Sequence, residues 1–300
     1  MSRIAITGGT GLIGSALVTT LEARGDEVVV LTRRTARHAR ELTWNPETGG
    51  TADPERVANL DALIHLAGAG IGDKRWTTAY KRQILLSRVD GTRALRGLWG
   101  NQPPARLIAG SAIGFYGSRQ DDIVNEVSTR GDGFLADVCD AWEAAGREVA
   151  EGSCALTTLR TGIVLSAAGG ALGKQLPLFK AGLGGRLGSG RQWMSPISLH
   201  DTIRAIVHCI DVGVDGPVNL TIPEPCTNRD FTAALASALH RPALAAAPAA
   251  ALRLALGREM ADELLLISQR VMPDRLVTSG FTFDDPTVRQ AIDRALTPTN

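Results

Sequence analysis

Residues 7–14, which read TGGTGLIG, constrain the fold of this 300-residue chain more than any other segment. They follow the apolar run Ile4-Ala5-Ile6 and lead into residues 12–18, where apolar side chains recur at helical spacing. A strand, a glycine turn and a helix in this order bind phosphate, because the backbone can approach the ligand and the first helical N–H groups are free. A turn with no ligand is the alternative. The predicted pyrophosphate contacts are Gly8, Thr10, Gly11, Leu12, Ile13 and Gly14.

Short apolar runs alternate with helical patterns through the first half of the chain, which is typical of an α/β fold with a doubly wound parallel sheet. Strands are expected at residues 4–7, 27–31, 61–66, 106–111, 156–160 and 218–220, and helices at 12–24, 79–98 and 134–151. We expect a Rossmann domain formed by residues 1–165 and about 197–222. Residues of about 166–196 and 223–300 would form a smaller substrate-side and C-terminal lobe, with Asn228 capping a helix that starts near Asp230.

Charge and cysteine usage exclude several classes of partner. The net charge of +1 provides no field that would attract nucleic acid or an anionic membrane, so neither is expected to bind. The four cysteines are scattered without a CxxC pair, so we expect no metal site and a reducing, cytoplasmic compartment. No secretory signal pattern precedes the first strand. Prolines and Arg253 interrupt the apolar residues 242–256, which are expected to form a loop and a packed helix.

The segment after the second predicted strand indicates which dinucleotide binds, because in doubly wound folds it contacts the adenosine ribose. An acidic residue there would bind a 2′-hydroxyl group, whereas an arginine accommodates a 2′-phosphate. This strand ends Leu31-Thr32-Arg33-Arg34, without an acid. Arg33 is expected to bind the phosphate and Arg34 to stack on the adenine or add a second contact; two solvated arginines are the alternative. The sequence favours NADP(H) over NAD(H).

A further cofactor contact is predicted after the strand at residues 61–66. Leu66, Ala67 and Gly68 follow it, and small residues here let the backbone approach the cofactor's ribose. His65 is expected to pack rather than react.

The chain resembles the extended short-chain dehydrogenases/reductases in its TGxxGxxG loop, in residues 66–68, in Gly91-Thr92 and in the GSAIGFYG segment around Ser111. A finer resemblance, to the atypical sugar-nucleotide epimerase-like subgroup, lies in Ser87-Arg88, Trp142-Glu143, Arg160-Thr161-Gly162 and a C-terminal module that ends in GFTF. This resemblance implies a Rossmann domain with bound NADP(H) and a C-terminal domain of unknown function. It places Arg88 and Arg160 among the cofactor-binding residues. For Arg88, contact with the cofactor, a carboxylate partner or a surface ion pair with Asp90 remain open.

The usual reactive pair of the family that the chain resembles is absent from the sequence. That pair is Tyr-x-x-x-Lys, in which the lysine lowers the pKa of the tyrosine and holds the nicotinamide ribose. The two tyrosines, Tyr80 and Tyr116, are followed four residues later by isoleucine and glutamine. The candidate catalytic groups are therefore Ser111, at a strand end, where it would bind a substrate oxygen, and Tyr116 as a displaced acid. A packing role is the alternative for both.

Three residues of the glycine-rich second half are candidates for the substrate side. Lys174 and Arg191 would meet a phosphate, and Trp193 would stack on a ring, with solvation or interface packing as alternatives. Two functions follow. One is an NADP(H)-dependent oxidoreductase or epimerase acting on a sugar-like or nucleotide-linked small molecule, and this enzyme is favoured. The other is a non-catalytic NADP(H)-binding regulatory protein. A homodimer formed through the helices at residues 79–98 and 134–151 remains open.

Overall fold

The computed structural model describes residues 1–51, 53–243 and 245–297. Its strands are β1 (Arg3–Thr7), β2 (Glu27–Thr32), β3 (Glu41–Thr43), β4 (Ala62–His65), β5 (Arg106–Ala112), β6 (Ile123–Val124), β7 (Ala155–Thr161), β8 (Ile163–Leu165), β9 (Gly185–Leu187), β10 (Trp193–Met194), β11 (Pro196–Ser198), β12 (Gly216–Leu220), β13 (Cys226–Thr227), β14 (Ala245–Ala247) and β15 (Arg270–Val271). Its helices are α1 (Leu12–Ala23), α2 (Thr78–Arg93), α3 (Arg96–Trp99), α4 (Phe134–Ala150), α5 (Gly170–Lys180), α6 (Leu199–Val212), α7 (Asn228–Ala238), α8 (Ala249–Leu256), α9 (Arg258–Leu264), α10 (Asp274–Thr278) and α11 (Val288–Leu296). Short 3₁₀ turns occupy Pro54–Val57 and Ile113–Tyr116.

Seven of these strands form one parallel sheet in the order β12-β7-β5-β4-β1-β2-β3. The chain runs outward from β1 to β3, returns to β4 beside β1, and then runs outward the other way to β12. The order therefore reverses between β1 and β4, and open α/β sheets bind their ligands at the carboxyl ends of the strands at such a point. The predicted doubly wound parallel sheet is confirmed.

Apolar strands are buried on both faces of this sheet, as expected where helices cover both faces. Ile4 and Ile6 of β1 pack with Leu17 and Leu21 of α1 on one face. Ala5, on the opposite face, packs in a second cluster with α3 and the end of α4. A third apolar cluster joins α5, α7 and α11 outside the sheet.

Two local expectations about helices differ from the structure. The long helix expected at residues 79–98 is divided into α2 and α3. Helix α7 begins at Asn228, and its N-cap is Thr227, whose hydroxyl accepts from the N–H of Asp230 while the Asp230 carboxylate accepts from the Thr227 N–H. The prediction that Asn228 caps the helix is wrong, because its side-chain oxygen accepts from the Leu187 N–H at 2.8 Å instead.

Helix α8 lies at the surface. None of its residues is buried, and Leu254 is 82% exposed, so the expectation of a packed helix in residues 242–256 is wrong. In the parts of the chain that the structure describes, no helix combines the length and apolarity needed to cross a membrane.

Candidate functional site

The turn after β1 contains glycines that lie so close to other backbone atoms that a larger residue would force those atoms to move. Gly8 has a φ of +73°, and a Cβ there would lie 2.8 Å from the Leu66 carbonyl carbon. A Cβ at Gly14 would collide with the Gly8 carbonyl oxygen. The turn therefore packs Gly8 against the backbone that follows β4, and the first turn of α1 against Gly8.

The first turn of α1 is open to a ligand. Its N-cap is Gly11, and no side chain among the described residues caps it. Uncapped N–H groups and the positive end of a 12-residue helix favour an anion at this position. Since α1 starts where the strand order reverses, its N-terminus meets the geometric requirement for a dinucleotide pyrophosphate.

Arg33 and Arg34 differ in their surroundings. Arg34 binds both carboxylate oxygens of Glu41, at 3.0 and 2.5 Å, and the same carboxylate accepts the Arg37 N–H at 2.7 Å. The Arg37 N–H and then Arg34 lower the pKa of the buried Glu41. Arg33 is exposed and, within the described ranges, its side chain has no hydrogen-bond or ion-pair partner. Arg33 is thus an uncompensated cation directly after β2.

The backbone after β4 is held in place by α2. The Ala69 N–H donates to Ser87 Oγ at 3.0 Å, Arg88 Nη1 donates to the Ala69 carbonyl at 3.0 Å, and the Tyr80 hydroxyl donates to the Gly70 carbonyl. These bonds hold Ala69 and Gly70, which follow the residues that contact Gly8.

His65 lies at the end of β4 beneath this segment. Its Nδ1 is 2.7 Å from the Thr7 hydroxyl, and Nε2 is buried without a partner in the described structure. Burial, followed by the charge of Arg88, lowers the pKa of His65 to about 4. The ring is therefore neutral at physiological pH and is enclosed in the protein interior.

Arg88 projects from α2 toward the same segment. Its guanidinium carbon lies 5.0 Å from the Trp142 ring centroid of α4 and 3.2 Å from the position of a Cβ on Gly68. The ion pair with Asp90 that the sequence left open is not formed, and no carboxylate in the described residues pairs with Arg88. Burial lowers its pKa, as expected for a cation without a counter-ion.

Ser111, Arg160 and Asn219 are register neighbours on β5, β7 and β12. Arg160 forms a two-pronged ion pair with Glu143 of α4, at 2.8 and 2.9 Å, and the Ser111 hydroxyl donates to the same carboxylate at 2.8 Å. Arg160 is buried, and its guanidinium is used inside this network. The structure therefore gives Arg160 an internal partner instead of the cofactor contact that the resemblance implied.

Tyr116 belongs to the same network and has no exposed surface. Its hydroxyl donates to Asn219 Oδ1 at 2.7 Å and accepts from Arg160 at 3.0 Å. Burial raises its pKa to about 12. We therefore correct the assignment of Tyr116 as a proton donor, because its phenol is enclosed and held by two internal partners.

The three substrate-side candidates do not share one environment. Lys174 donates to the Gly72 carbonyl at 3.0 Å and so lies beside the loop that follows β4. Trp193 donates its indole N–H to Asp121 at 2.9 Å, and Arg270 covers its ring at 4.2 Å, so that face is not available for stacking. Arg191 is exposed.

One residue that the sequence did not single out is Glu263 of α9. Its two carboxylate oxygens accept the N–H groups of Phe134 and Leu135, at 3.0 and 2.8 Å, and so cap α4. Gly133 precedes α4 and carries no side chain that could do so. The sequence hints at this role of Glu263 only through the glycine at the N-cap of α4, which does not identify the distant residue that caps the helix.

Comparison with known proteins agrees with this architecture. Residues 4–135 match the model of the NAD dependent epimerase/dehydratase family, and residues 247–295 match a domain of unknown function, DUF1731. An epimerase family protein of Mycobacterium bovis is 44% identical over 295 residues, which cover 98% of this chain and 97% of the relative. The chain belongs to the NAD-dependent epimerase/dehydratase family.

Two solved structures of this family's fold are similar at 32% identity. Human epimerase family protein SDR39U1 (isoform 2), solved with NADPH, aligns with a TM-score of 0.90 over 97% of this chain and 98% of its own. A nucleoside-diphosphate sugar epimerase from Corynebacterium glutamicum aligns with a TM-score of 0.78 over 98% of this chain and 58% of its own. The resemblance to the epimerase-like family is thereby confirmed.

Proposed function

We propose that this epimerase family member is an NADP(H)-dependent oxidoreductase or epimerase that acts on a sugar-like or nucleotide-linked small molecule. The observation that carries the NADP(H) assignment is the contrast between Arg33 and Arg34. Arg34 is neutralised by Glu41, whereas Arg33 is exposed at the end of β2 and has no partner in the described chain. A guanidinium in this place binds a 2′-phosphate with two parallel hydrogen bonds.

Glu41 does not compete with this assignment. An acidic side chain near the adenosine ribose would favour NAD(H) by accepting from the 2′-hydroxyl group. The Glu41 carboxylate already accepts three hydrogen bonds, from two Arg34 nitrogens and the Arg37 N–H. The NADPH named for the human neighbour supports the same choice.

The other cofactor contacts follow from the geometry around the glycine turn. The N–H groups at residues 12–14 would bind the pyrophosphate, with Thr10 and Gly11 beside them, since the Gly11 N–H already donates to the Gly8 carbonyl at 3.0 Å. The backbone of Leu66, Ala67 and Gly68 would face a ribose. NADP(H), when bound, supplies or accepts a hydride at the nicotinamide ring. The protein then has to hold the substrate carbon beside that ring and handle one proton.

Ser111 is the candidate for contact with the substrate oxygen. Because its hydroxyl donates to Glu143, its oxygen lone pairs are what it can offer to a ligand. Ser111 is therefore suited to accept from a substrate hydroxyl group, as in the oxidation of an alcohol. Lys174, beside the loop after β4, would bind a phosphate of a nucleotide-linked substrate. Arg191 is exposed in a separate environment and would contact such a phosphate on its own.

A non-catalytic, regulatory role is the second candidate, and the positions of the two phenols favour it. The Tyr116 hydroxyl is enclosed, and the Tyr80 hydroxyl donates to a backbone carbonyl. Neither is placed as a proton donor. Three readouts with a panel of nucleotide sugars and small carbonyl compounds separate the two functions: NADPH oxidation, NADP+ reduction, and the stereochemistry of the recovered sugar. The third readout is needed because an epimerase returns the hydride and leaves no net change in the cofactor. Turnover of any member supports the enzyme, while tight NADPH binding without turnover supports the regulatory protein.

The cofactor assignment is tested by titrating NADPH and NADH against Arg33→Glu. We expect this variant to lose at least about tenfold in NADPH affinity and little in NADH affinity, because one charge-assisted contact is worth about 1.5–3 kcal/mol. Arg40→Gln is the matched control, since Arg40 pairs with Glu22 on α1 instead of facing the end of β2. Equal loss of both cofactors in Arg33→Glu would contradict the assignment.

A further inference from the structure

Arg88 is a half-buried cation with no carboxylate partner among the described residues. Only Nη1 of its guanidinium has hydrogen-bond partners in the described residues, the carbonyl oxygens of Ala69 and Ile84 at 3.0 and 3.1 Å. Nε and Nη2 have no hydrogen-bond partner there, and both retain access to solvent. Three N–H groups of Arg88 are thus available to a ligand.

The position of Arg88 indicates which part of a dinucleotide would meet it. The strand order reverses between β1 and β4, with the start of α1 as the pyrophosphate site. The adenosine half lies toward β2, where Arg33 is exposed, so the nicotinamide half must extend toward β4 and β5. Arg88 touches Gly68 directly after β4 and faces Trp142 of α4, a helix that packs against β5. It therefore lies on the nicotinamide side.

Helix α4 is also where the reactive lysine of the dehydrogenases would be expected, and α4 contains no lysine and no tyrosine. Cys139 of α4 lies close enough to Arg88 for each charge to shift the pKa of the other group, and Cys139 is buried. A cation from α2 thus lies beside Cys139 of α4, a helix that contains no lysine.

We propose that Arg88, reaching across from α2, binds the nicotinamide ribose through Nε and Nη2 in place of a lysine on α4. This assignment rests on the proposed NADP(H) binding. It gives the unbalanced guanidinium polar partners in the ribose hydroxyl groups and adds a charge-assisted contact at the end of the cofactor that reacts. Because an arginine does not titrate in the physiological range, this contact would not vary with pH.

The rival explanation is that Arg88 only clamps the backbone after β4. In that case its loss would move Ala69 and Gly8 together and weaken every ligand of the site alike. The proposal instead requires selective loss for ligands that contain the nicotinamide ribose. Two ligands distinguish the clamp from the proposed ribose contact. NADPH contains the nicotinamide ribose, whereas 2′,5′-ADP contains the 2′-phosphate but no nicotinamide half.

The experiment is calorimetric titration of both ligands into the full chain and into Arg88→Met, which keeps the length of the side chain and removes its charge. We expect NADPH affinity to fall about 10- to 100-fold, as for loss of charge-assisted hydrogen bonds, and 2′,5′-ADP affinity to change less than about twofold. Arg33→Met should weaken both ligands. Arg82→Met, at an exposed site on the same helix, should weaken neither.

Each remaining outcome has a defined meaning. Equal weakening of NADPH and 2′,5′-ADP by Arg88→Met, or no change in NADPH affinity, would overturn the role of Arg88 and leave NADP(H) binding intact. Failure of the unaltered chain to bind NADPH would overturn the proposed function and this assignment with it. If Arg88→Met does not fold, Arg88→Lys replaces it, with a smaller but still NADPH-selective loss expected because a cation remains.

Discussion

Arg160 of β7 and Glu143 of α4 are joined inside the protein by two hydrogen bonds, Nε to Oε1 at 2.8 Å and Nη2 to Oε2 at 2.9 Å. Burial acts to lower the pKa of Arg160, but Glu143 and Tyr116 together outweigh it and the pKa rises. The Phe115 ring lies 3.6 Å from the guanidinium carbon. This pair ties α4 to the sheet immediately below Ser111.

We expect Glu143→Gln or Arg160→Met alone to lower the free energy of unfolding by about 3–5 kcal/mol, because each leaves a buried charge unpaired. The double variant Glu143→Gln/Arg160→Met should cost less than the sum of the two changes, since no charge is then left alone. Denaturant unfolding of all three measures this. Additive losses would show that the pair does not act as a unit.

Tyr116→Phe removes a hydroxyl group that holds Arg160 and Asn219 but does not reach the surface. We expect a loss of about 1–2 kcal/mol in the free energy of unfolding and NADPH affinity within about twofold of the unaltered chain. Any turnover should be nearly unchanged. Tyr80→Phe, which also removes one internal hydroxyl bond, is the control for stability. A Tyr116→Phe variant that unfolds normally but has lost turnover would restore the phenol as the proton donor.

Gly14→Ala should weaken NADPH binding by at least about tenfold, because its Cβ would force the Gly8 carbonyl out of the turn that receives the pyrophosphate. The measurement is a fluorescence titration with NADPH. Gly146→Ala on α4 is the matched control: its Cβ would lie 3.7 Å from the Ala109 Cβ, an ordinary contact. Gly146→Ala should bind NADPH normally, and normal binding by Gly14→Ala would refute the predicted site.

His65 should make the chain less stable as the pH falls. Its pKa in the folded protein is about 4 and its ordinary value is 6.5, so between these values the unfolded chain binds more protons. Its contribution to stability is fully present above pH 6.5 and is lost progressively as the pH falls toward 4, by at most about 3 kcal/mol.

The measurement is the free energy of unfolding between pH 4 and pH 7 for the unaltered chain and for His65→Asn, which keeps a polar group near Thr7. The variant should show a shallower decline with falling pH. The exposed His240, replaced in His240→Asn, provides a control that should keep the original slope. Equal slopes in the unaltered chain and in His65→Asn would contradict the assignment.

The centre of the sheet was predictable from the sequence because β1, β2 and β4 are buried on both faces and read as short, mostly apolar runs. Strand β3 escaped prediction because it has three residues and follows an arginine-rich segment. The glycine turn was predictable for a similar local reason, since its spacing and its flanking elements lie within a few residues.

The environments of individual site residues were not predictable, because they depend on partners far along the chain. Arg33 and Arg34 look equivalent until Glu41 pairs with one of them. Tyr116 lies close to Ser111 in sequence, but the 3₁₀ turn at Ile113–Tyr116 directs its hydroxyl to Asn219 of β12, 103 residues away. No local pattern carries that information.

The carboxylate of Glu263 at the start of α4 links two parts of the chain that are made at different times. Phe134 precedes Glu263 by 129 residues. During synthesis, the N–H groups at the start of this helix therefore lack this hydrogen-bond partner until most of the protein has left the ribosome. A nascent chain that stops short of residue 263 would carry α4 without its cap. The cap of the helix that faces Arg88 can therefore form only after residue 263 has been synthesised.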